Sequence, residues 1–144
     1  ANEIRNRLEQ ELAKAHIEAK FAWDKGATET QMKDVIALIR QAQWRWDFGV
    51  GSHGGSFHAP QKIQRILSHG LDRAMQARLA VSKVLAKNGY TGDVPMPDIS
   101  TKAKAQEYIG LDMDAERAAK EKFLKTTVPA WLEKAKENGR LAQK

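Results

Sequence analysis

One repeated spacing, between residues 60 and 88, restricts the fold of this chain more than any other feature of the sequence. Apolar and small residues follow one another there at alternating intervals of four and three. They are Ile63, Leu67, Gly70, Ala74, Ala77, Val81 and Val84, and we call these seven residues the seam. Such intervals place all seven on one face of an α-helix, which we predict over 60–88. Because small side chains fill the middle of the seam and further apolar residues flank it, we expect close contact with more than one neighbouring helix.

Two further helices are predicted before the seam. Over 2–25, one face is apolar and the other is charged, and Gly26 is a favourable residue just past a helix end. The run Thr28-Glu29-Thr30-Gln31 has the pattern of a capping box, in which a threonine hydroxyl and a glutamine side chain pair with backbone amides. We therefore expect a second helix over 29–48, ended by the four glycines within residues 49–55.

A last long helix is predicted over 113–138. Asp112 or Asp114 can cap its first turn, and Asn138-Gly139 is a favourable end. Pro129 lies inside the pattern, where it removes a backbone donor, so we expect a kink or break around Thr126–Val128.

The segment between the seam helix and the last helix is not regular. Residues 90–98 contain two prolines and a glycine and are predicted to form an extended crossing. Ser100 can then cap a short helix over 101–108. No strand pattern is evident, so the sequence predicts a single all-α domain over 1–144. Its long antiparallel helices would be joined by a glycine-rich corner that contains histidine and by the proline-containing crossing.

The chain of 144 residues contains no cysteine. This excludes disulfides, cysteine zinc sites, thiol catalysis and covalent attachment of haem within the chain. No apolar run approaches the roughly 18 residues of a membrane span, so none is expected. Because a mid-helix pattern follows Ala1 at once, we expect the chain to be a piece of a longer protein.

The formal net charge is +6, and most of the excess lies between residues 60 and 89. Six basic residues there accompany one acidic residue: Lys62, Arg65, Arg73, Arg78, Lys83, Lys87 and Asp72. A basic helix is typical of a surface that meets an anion or nucleic acid, but this one lacks interleaved aromatic residues for stacking. We expect a solvated or anion-facing helix, and an anion or nucleic-acid binder stays the less favoured alternative.

Residues 44–60 hold the greatest concentration of chemically informative side chains. Trp44 and Trp46 are two residues apart, so we expect one in the core and the other against a partner or cofactor. His58 precedes the first turn of the seam helix, where the helix dipole favours the neutral imidazole that binds metals. Spacing alone leaves three roles open for His58: a hydrogen-bonded structural residue, a metal or haem ligand, or an acid–base group. His53 is a weaker candidate.

The other two histidines of the chain are less informative. His16 lies among Lys14, Ala15 and Ile17 on the first helix, and His69 lies beside Gly70 on the seam helix. We expect both to be interface or surface residues rather than ligands.

Eleven stretches, spread over nearly the whole chain, carry a resemblance to a known family. They are His16–Lys20, Lys25–Thr28, Gln31–Lys33, Gln43–Asp47, Ser52–Gly54, His58–Pro60, Pro97–Lys102, Lys104–Gln106, Ile109–Leu111, Lys125–Thr126 and Asn138–Gly139. The tryptophan pair followed by the His-Ala-Pro corner is the most specific of them. On these residues the chain resembles the C-terminal portion of the ammonia-forming cytochrome c nitrite reductases, the pentahaem enzymes of the bacterial periplasm.

The resemblance implies a role for His58. In that family the histidine of the His-Ala-Pro motif is the distal axial ligand of a haem c that transfers electrons. The attachment cysteines and the proximal histidine of that haem lie earlier in the full chain. The metal at His58 would therefore be haem iron, and no catalytic residue is expected in this segment. The parent enzyme also carries calcium, which this segment is not expected to bind.

The resemblance further implies the activity and partners of the parent enzyme. The family reduces nitrite to ammonia with six electrons, supplied by a donor cytochrome or a quinol dehydrogenase. Its long C-terminal helices form a homodimer interface, which fits the small residues of the seam. The segment itself would pack around the haems and be inactive alone. The alternative is a free-standing α-helical interaction or dimerisation module.

Overall fold

The structure is a computed structural model that describes residues 2–52 and 54–141, except for the side chain of Ser56. The described residues form helices and connecting segments without a strand, which confirms the predicted all-α fold. The helices are α1 (Asn2–Asp24), α2 (Glu29–Gly51), α3 (Gly55–His58), α4 (Pro60–Lys87), α5 (Lys102–Tyr108) and α6 (Met113–Glu137). The chain divides into two compact units, Ala1–Met96 and Pro97–Lys144, and the prediction of a single domain stays a prediction.

In the first unit, α1, α2 and α4 form a three-helix bundle. Asn88, which follows α4, donates from Nδ2 to Gln31 Oε1 near the start of α2 at 3.1 Å, so these two helices run antiparallel. Glu18 of α1 pairs with Arg78 of α4, and Leu8 lies against Gly70, so α1 and α4 run parallel. Along the chain, the direction of these three helices therefore alternates, as the sequence predicts.

The seam lies at the centre of this bundle. All seven of its residues are buried. At Gly70 the backbone of α4 lies so close to both neighbours that an added Cβ would be 2.8 Å from Leu8 Cδ2 and 3.1 Å from Arg45 Cβ. The small residues thus serve packing inside one chain. Their suggested fit to a homodimer interface was wrong, because α1 and α2 already cover the seam.

Helix α2 continues through Gly49 and ends at Gly51, so the predicted end at residue 48 was wrong. A Cβ at Gly49 would lie 2.5 Å from Leu67 Cδ2. This glycine therefore allows α2 and α4 to approach each other, and the packing outweighs its low helix propensity. At the other end of α2, the predicted capping box is present, with Thr28 Oγ1 and Gln31 N 3.2 Å apart.

In the second unit, the cap of α5 and the course of α6 differ from the prediction. Thr101, and not Ser100, caps α5, since its hydroxyl accepts from Lys104 N while Ser100 binds Asp98. Helix α6 is capped by Asp112 as predicted and runs without interruption through Pro129, so the expected break was wrong, while the alternative of a kink stays a prediction. Proline removes one amide donor, and the hydrogen bonds on either side of it can maintain the helix.

No residue of α6 is buried. Its large apolar side chains include Trp131, which is 62% exposed and packs edge-on against Phe123 with ring centroids 5.4 Å apart. Among the described residues, no helix is long and apolar enough to cross a membrane.

Candidate functional site

The corner between α2 and α4 consists of a short loop and the single turn of α3. Ser52 ends α2 by donating its backbone amide to Phe48 O at 3.0 Å. Gly54 follows with φ of +80°, a left-handed conformation that favours glycine, and its carbonyl accepts from the amide of His58 at 2.9 Å. His53 lies outside the described residues.

Helix α3 is packed directly against the first turn of α4. A Cβ at Gly55 would lie 3.0 Å from Ile63 Cδ1, and Ile63 belongs to the buried seam. The amide of Ala59, which joins the two helices, donates to Gly55 O at 2.9 Å. The corner is thus fixed to the core of the bundle, and it holds His58 just before Pro60.

The side chain of His58 is exposed. A Cβ at Gly54 would lie 3.4 Å from its Cδ2 and 3.8 Å from its Nε2, so the imidazole lies beside the glycine. Within residues 2–52 and 54–141, no hydrogen bond or ion pair engages this imidazole. The interpretation of His58 as a hydrogen-bonded structural residue therefore has no contact to support it, and the ring is available to a group outside these residues.

The imidazole opens onto a surface depression of about 580 Å³. Its lining comprises His58, Ala59, Pro60, Gln61, Lys62 and Arg65. Lys62 and Arg65 are exposed, and in the described part of the chain neither forms an ion pair with an acidic residue. Phe57, the residue before His58, is 92% exposed. The corner thus combines a free imidazole, two cations and an exposed aromatic ring.

The two tryptophans of α2 lie in different environments, as their spacing predicts. Trp46 packs against the core of the bundle, where its indole Nε1 is buried and finds no hydrogen-bond partner among the described residues. Trp44 is 64% exposed and stacks on Phe48, with ring centroids 5.4 Å apart and planes inclined by 10°. Trp44 and Phe48 therefore form an exposed aromatic pair on α2.

The remaining histidines are found on the surface. His16 lies 3.2 Å from Gln43, Nε2 to Oε1, and joins α1 to α2, whereas His69 is exposed on α4. Both positions agree with the expected interface or surface role. In the described part of the chain, no group of three or more histidine, aspartate or glutamate side chains is arranged to hold a metal ion.

An ion-pair network that was not predicted from the sequence joins α1 and α4. Arg78 donates to Glu18 from Nε at 3.0 Å and from Nη2 at 2.7 Å, and to Glu11 from Nη1 at 2.6 Å. Burial alone would raise the pKa of Glu11, but hydrogen bonds and attraction from Arg78 and Lys14 outweigh it and lower that pKa. The same bonds, chiefly that to Glu18, raise the pKa of Arg78. The seven-residue spacing of the two glutamates, on one helix face, was a signal for this network.

Comparison with known proteins now identifies the family. The family model for cytochrome c552 matches residues 1–143. The chain is also similar to individual proteins named cytochrome c-552. One, from Bacteroides thetaiotaomicron, is 95% identical over the whole chain, and another, from Bacteroides fragilis, is 80% identical over 99% of it. A third, from Porphyromonas gingivalis, is 67% identical over 98% of the chain. The chain spans 29% of the length of the first two and 28% of the third.

These comparisons correct the family named from the sequence motifs. The matching model and the relatives above carry the name cytochrome c552, and none of these names contains nitrite reductase. Assignment to the family of the ammonia-forming nitrite reductases was therefore wrong, whereas these names state nothing about the activity of the whole protein. A c-type cytochrome family implies haem c, although this chain contains no cysteine to attach it. With a match over residues 1–143 and 95% identity to a named member, the chain belongs to the cytochrome c552 family.

Proposed function

We propose that this chain is the helical portion of a longer c-type cytochrome and that His58 is the distal axial ligand of one of its haems. The observation that carries the proposal is the exposed imidazole without a hydrogen-bond partner in the described chain, held on a corner fixed to the bundle core. Histidine is a common axial ligand of haem iron. A ligand supplied from a rigid corner keeps its position when the iron changes oxidation state.

The residues of the corner fit a haem that is attached elsewhere. Gly54 leaves space beside the imidazole, and the exposed ring of Phe57 offers an apolar surface next to it. Since the chain contains no cysteine, covalent attachment would come from outside it, and we propose the same for the opposite axial ligand. When bound, the haem supplies one-electron transfer. His58 would hold one axial position and exclude water from it, and the stacked Trp44 and Phe48 offer further packing surface.

For the whole protein we propose an oxidoreductase, with six-electron reduction of nitrite to ammonia as its activity. This rests on the sequence motifs around His58, since the names of the relatives state only a cytochrome. The same proposal includes a periplasmic location, homodimerisation and a calcium ion held outside this segment. It also includes electrons supplied by a donor cytochrome or a quinol dehydrogenase. Residues 1–144 alone should not reduce nitrite with a viologen donor, because no haem can be attached to them covalently.

The axial role is tested in the full-length protein by His58→Ala. We expect one low-spin haem signal in the electron paramagnetic resonance spectrum to become high-spin, while the covalent haem content measured as pyridine haemochrome is unchanged. His58→Met should restore a low-spin signal, since methionine is also an axial ligand. His69→Ala, which removes an exposed histidine on α4, is the matched control and should leave every signal unchanged.

Two outcomes would contradict the proposal. One is a full set of unchanged low-spin signals in His58→Ala. The other is an equal change in His58→Ala and His69→Ala, which would indicate an unspecific loss of structure. Nitrite reduction is tested separately, by turnover of the full-length protein, so the axial role and the activity can fail independently.

A further inference from the structure

We propose that Lys62 and Arg65 bind the carboxylate groups of the haem that His58 ligates and that their charge raises its reduction potential. The inference rests on the proposed axial role of His58 and adds two residues with a measurable electrostatic effect. Its basis is the surface depression beside the imidazole, which His58, Lys62 and Arg65 line together.

The backbone positions of the two cations are fixed relative to the turn that carries the imidazole. Both belong to the first turns of α4, where the buried residues Ile63 and Leu67 anchor the helix in the bundle. The same Ile63 contacts the turn of α3 that carries His58. A group held by the imidazole would therefore lie beside these cationic side chains, which line the same depression.

Within the described part of the chain, neither Lys62 nor Arg65 forms a side-chain hydrogen bond or an ion pair. The residues that line the depression include no carboxylate, so nothing in it neutralises Lys62 or Arg65. Arg78, on the same helix, shows the contrast, because its guanidinium is occupied by Glu11 and Glu18. A haem carries two carboxylate groups at one edge, and lysine and arginine are the side chains that bind carboxylates best, arginine often with two parallel hydrogen bonds.

The charge of the two side chains has a predictable effect on the haem. Oxidation of haem iron adds one positive charge, which nearby cations oppose by Coulomb repulsion. Lys62 and Arg65 would therefore favour the reduced state. Removal of both charges should lower the midpoint potential of this one haem and leave its axial ligands in place.

The experiment is a redox titration of the full-length protein, followed through the low-spin signal that His58→Ala abolishes. The double variant Lys62→Gln/Arg65→Gln should retain this signal and titrate at a lower potential than the unaltered protein. Arg65→Glu should lower the potential further than Arg65→Gln. The charge-conserving pair Lys62→Arg and Arg65→Lys should leave the potential nearly unchanged.

Lys83→Gln is the matched control, because it removes one exposed cation from the same helix. Position 83 lies about 27 Å along the helix from position 65, several screening lengths away at physiological ionic strength, so no shift is expected. Equal potentials in the double variant and in Lys83→Gln would overturn the inference, and so would equal shifts in Arg65→Lys and Arg65→Gln. Either result would leave the axial role of His58 intact, since that role is read from spin state.

Discussion

Substitution of Gly70 by alanine tests the close packing of the bundle. Alanine favours a helix interior over glycine by about 1 kcal/mol, so an unhindered site would gain stability. Gly70 is not such a site, because the new methyl group would lie 2.8 Å from Leu8 Cδ2 and 3.1 Å from Arg45 Cβ. Ordinary carbon contacts are about 3.5–4.0 Å, so the Leu8 methyl group must retreat by about 1 Å.

Leu8 has little room for that movement because it is fully buried, at 0% exposure. Overpacking of a filled core costs about 1–3 kcal/mol, which exceeds the gain in helix propensity. We therefore expect Gly70→Ala to lower the free energy of unfolding by about 1 kcal/mol, within a range of about 0–2. Gly51→Ala is the control, because it makes the same chemical change in α2, and beyond its own helix backbone and chain neighbours no described atom lies within 4 Å of the added Cβ.

The assay is urea unfolding of the chain followed by tryptophan fluorescence, which reports mainly on the first unit because three of the four tryptophans lie there. Gly51→Ala should be as stable as the unaltered chain or more stable by up to about 1 kcal/mol, and the urea dependence should be unchanged. The reasoning would be refuted if Gly70→Ala were as stable as Gly51→Ala, because the seam would then have room for a methyl group.

Two other substitutions test the contacts that join the helices. Thr28→Ala removes the hydroxyl that accepts from Gln31 N and should lower the free energy of unfolding by about 1 kcal/mol. Arg78→Met leaves Glu18 buried at 7% exposure without its guanidinium partner. We expect a loss of about 2 kcal/mol at neutral pH, less than for a fully buried pair because Arg78 is partly exposed. Since the pKa of Glu11 is lowered in the folded state, its contribution is present above its ordinary value near 4.5 and is lost as pH falls through the folded-state pKa.

These two predictions are checked by the same unfolding measurements. Thr30→Ala, an exposed change in the first turn of α2, is the control for Thr28→Ala, and equal losses would argue against the capping box. For Arg78→Met, the difference in the free energy of unfolding between the variant and the unaltered chain should become smaller as the pH falls below 4.5. A difference that stayed constant down to pH 2 would show that the pairing of Glu11 with Arg78 does not contribute.

Helix positions could be predicted from the sequence because the signals are local. The apolar periods, the capping box at Thr28 and the proline at position 60 depend on residues within one or two turns. The errors in the helix ends and caps arose where a contact with a distant residue, or a competing local hydrogen bond, determined the structure. Gly49 remains helical because α4 requires a close approach at Leu67, and Ser100 is engaged by Asp98 and leaves the cap to Thr101.

The candidate site was predictable in part. The sequence singled out His58 and predicted that Trp44 and Trp46 face different environments, because a two-residue step turns a helix by roughly half a circle. It could not tell which tryptophan is buried. Nor could it show that the imidazole is left free while Arg78, counted with the basic residues of α4, is bound by two glutamates. These properties depend on side chains that lie far apart in the sequence.

The sequence by itself determined that this chain is helical, where its four long helices start, and that one of them carries a seam of small residues. Only the tertiary structure decided what covers that seam. Burial of apolar surface is non-directional, so the same stripe can pack against a second copy or within its own chain. In this structure α1 and α2 of the same chain cover the seam of α4. This packing leaves His58, Lys62 and Arg65 exposed at the corner.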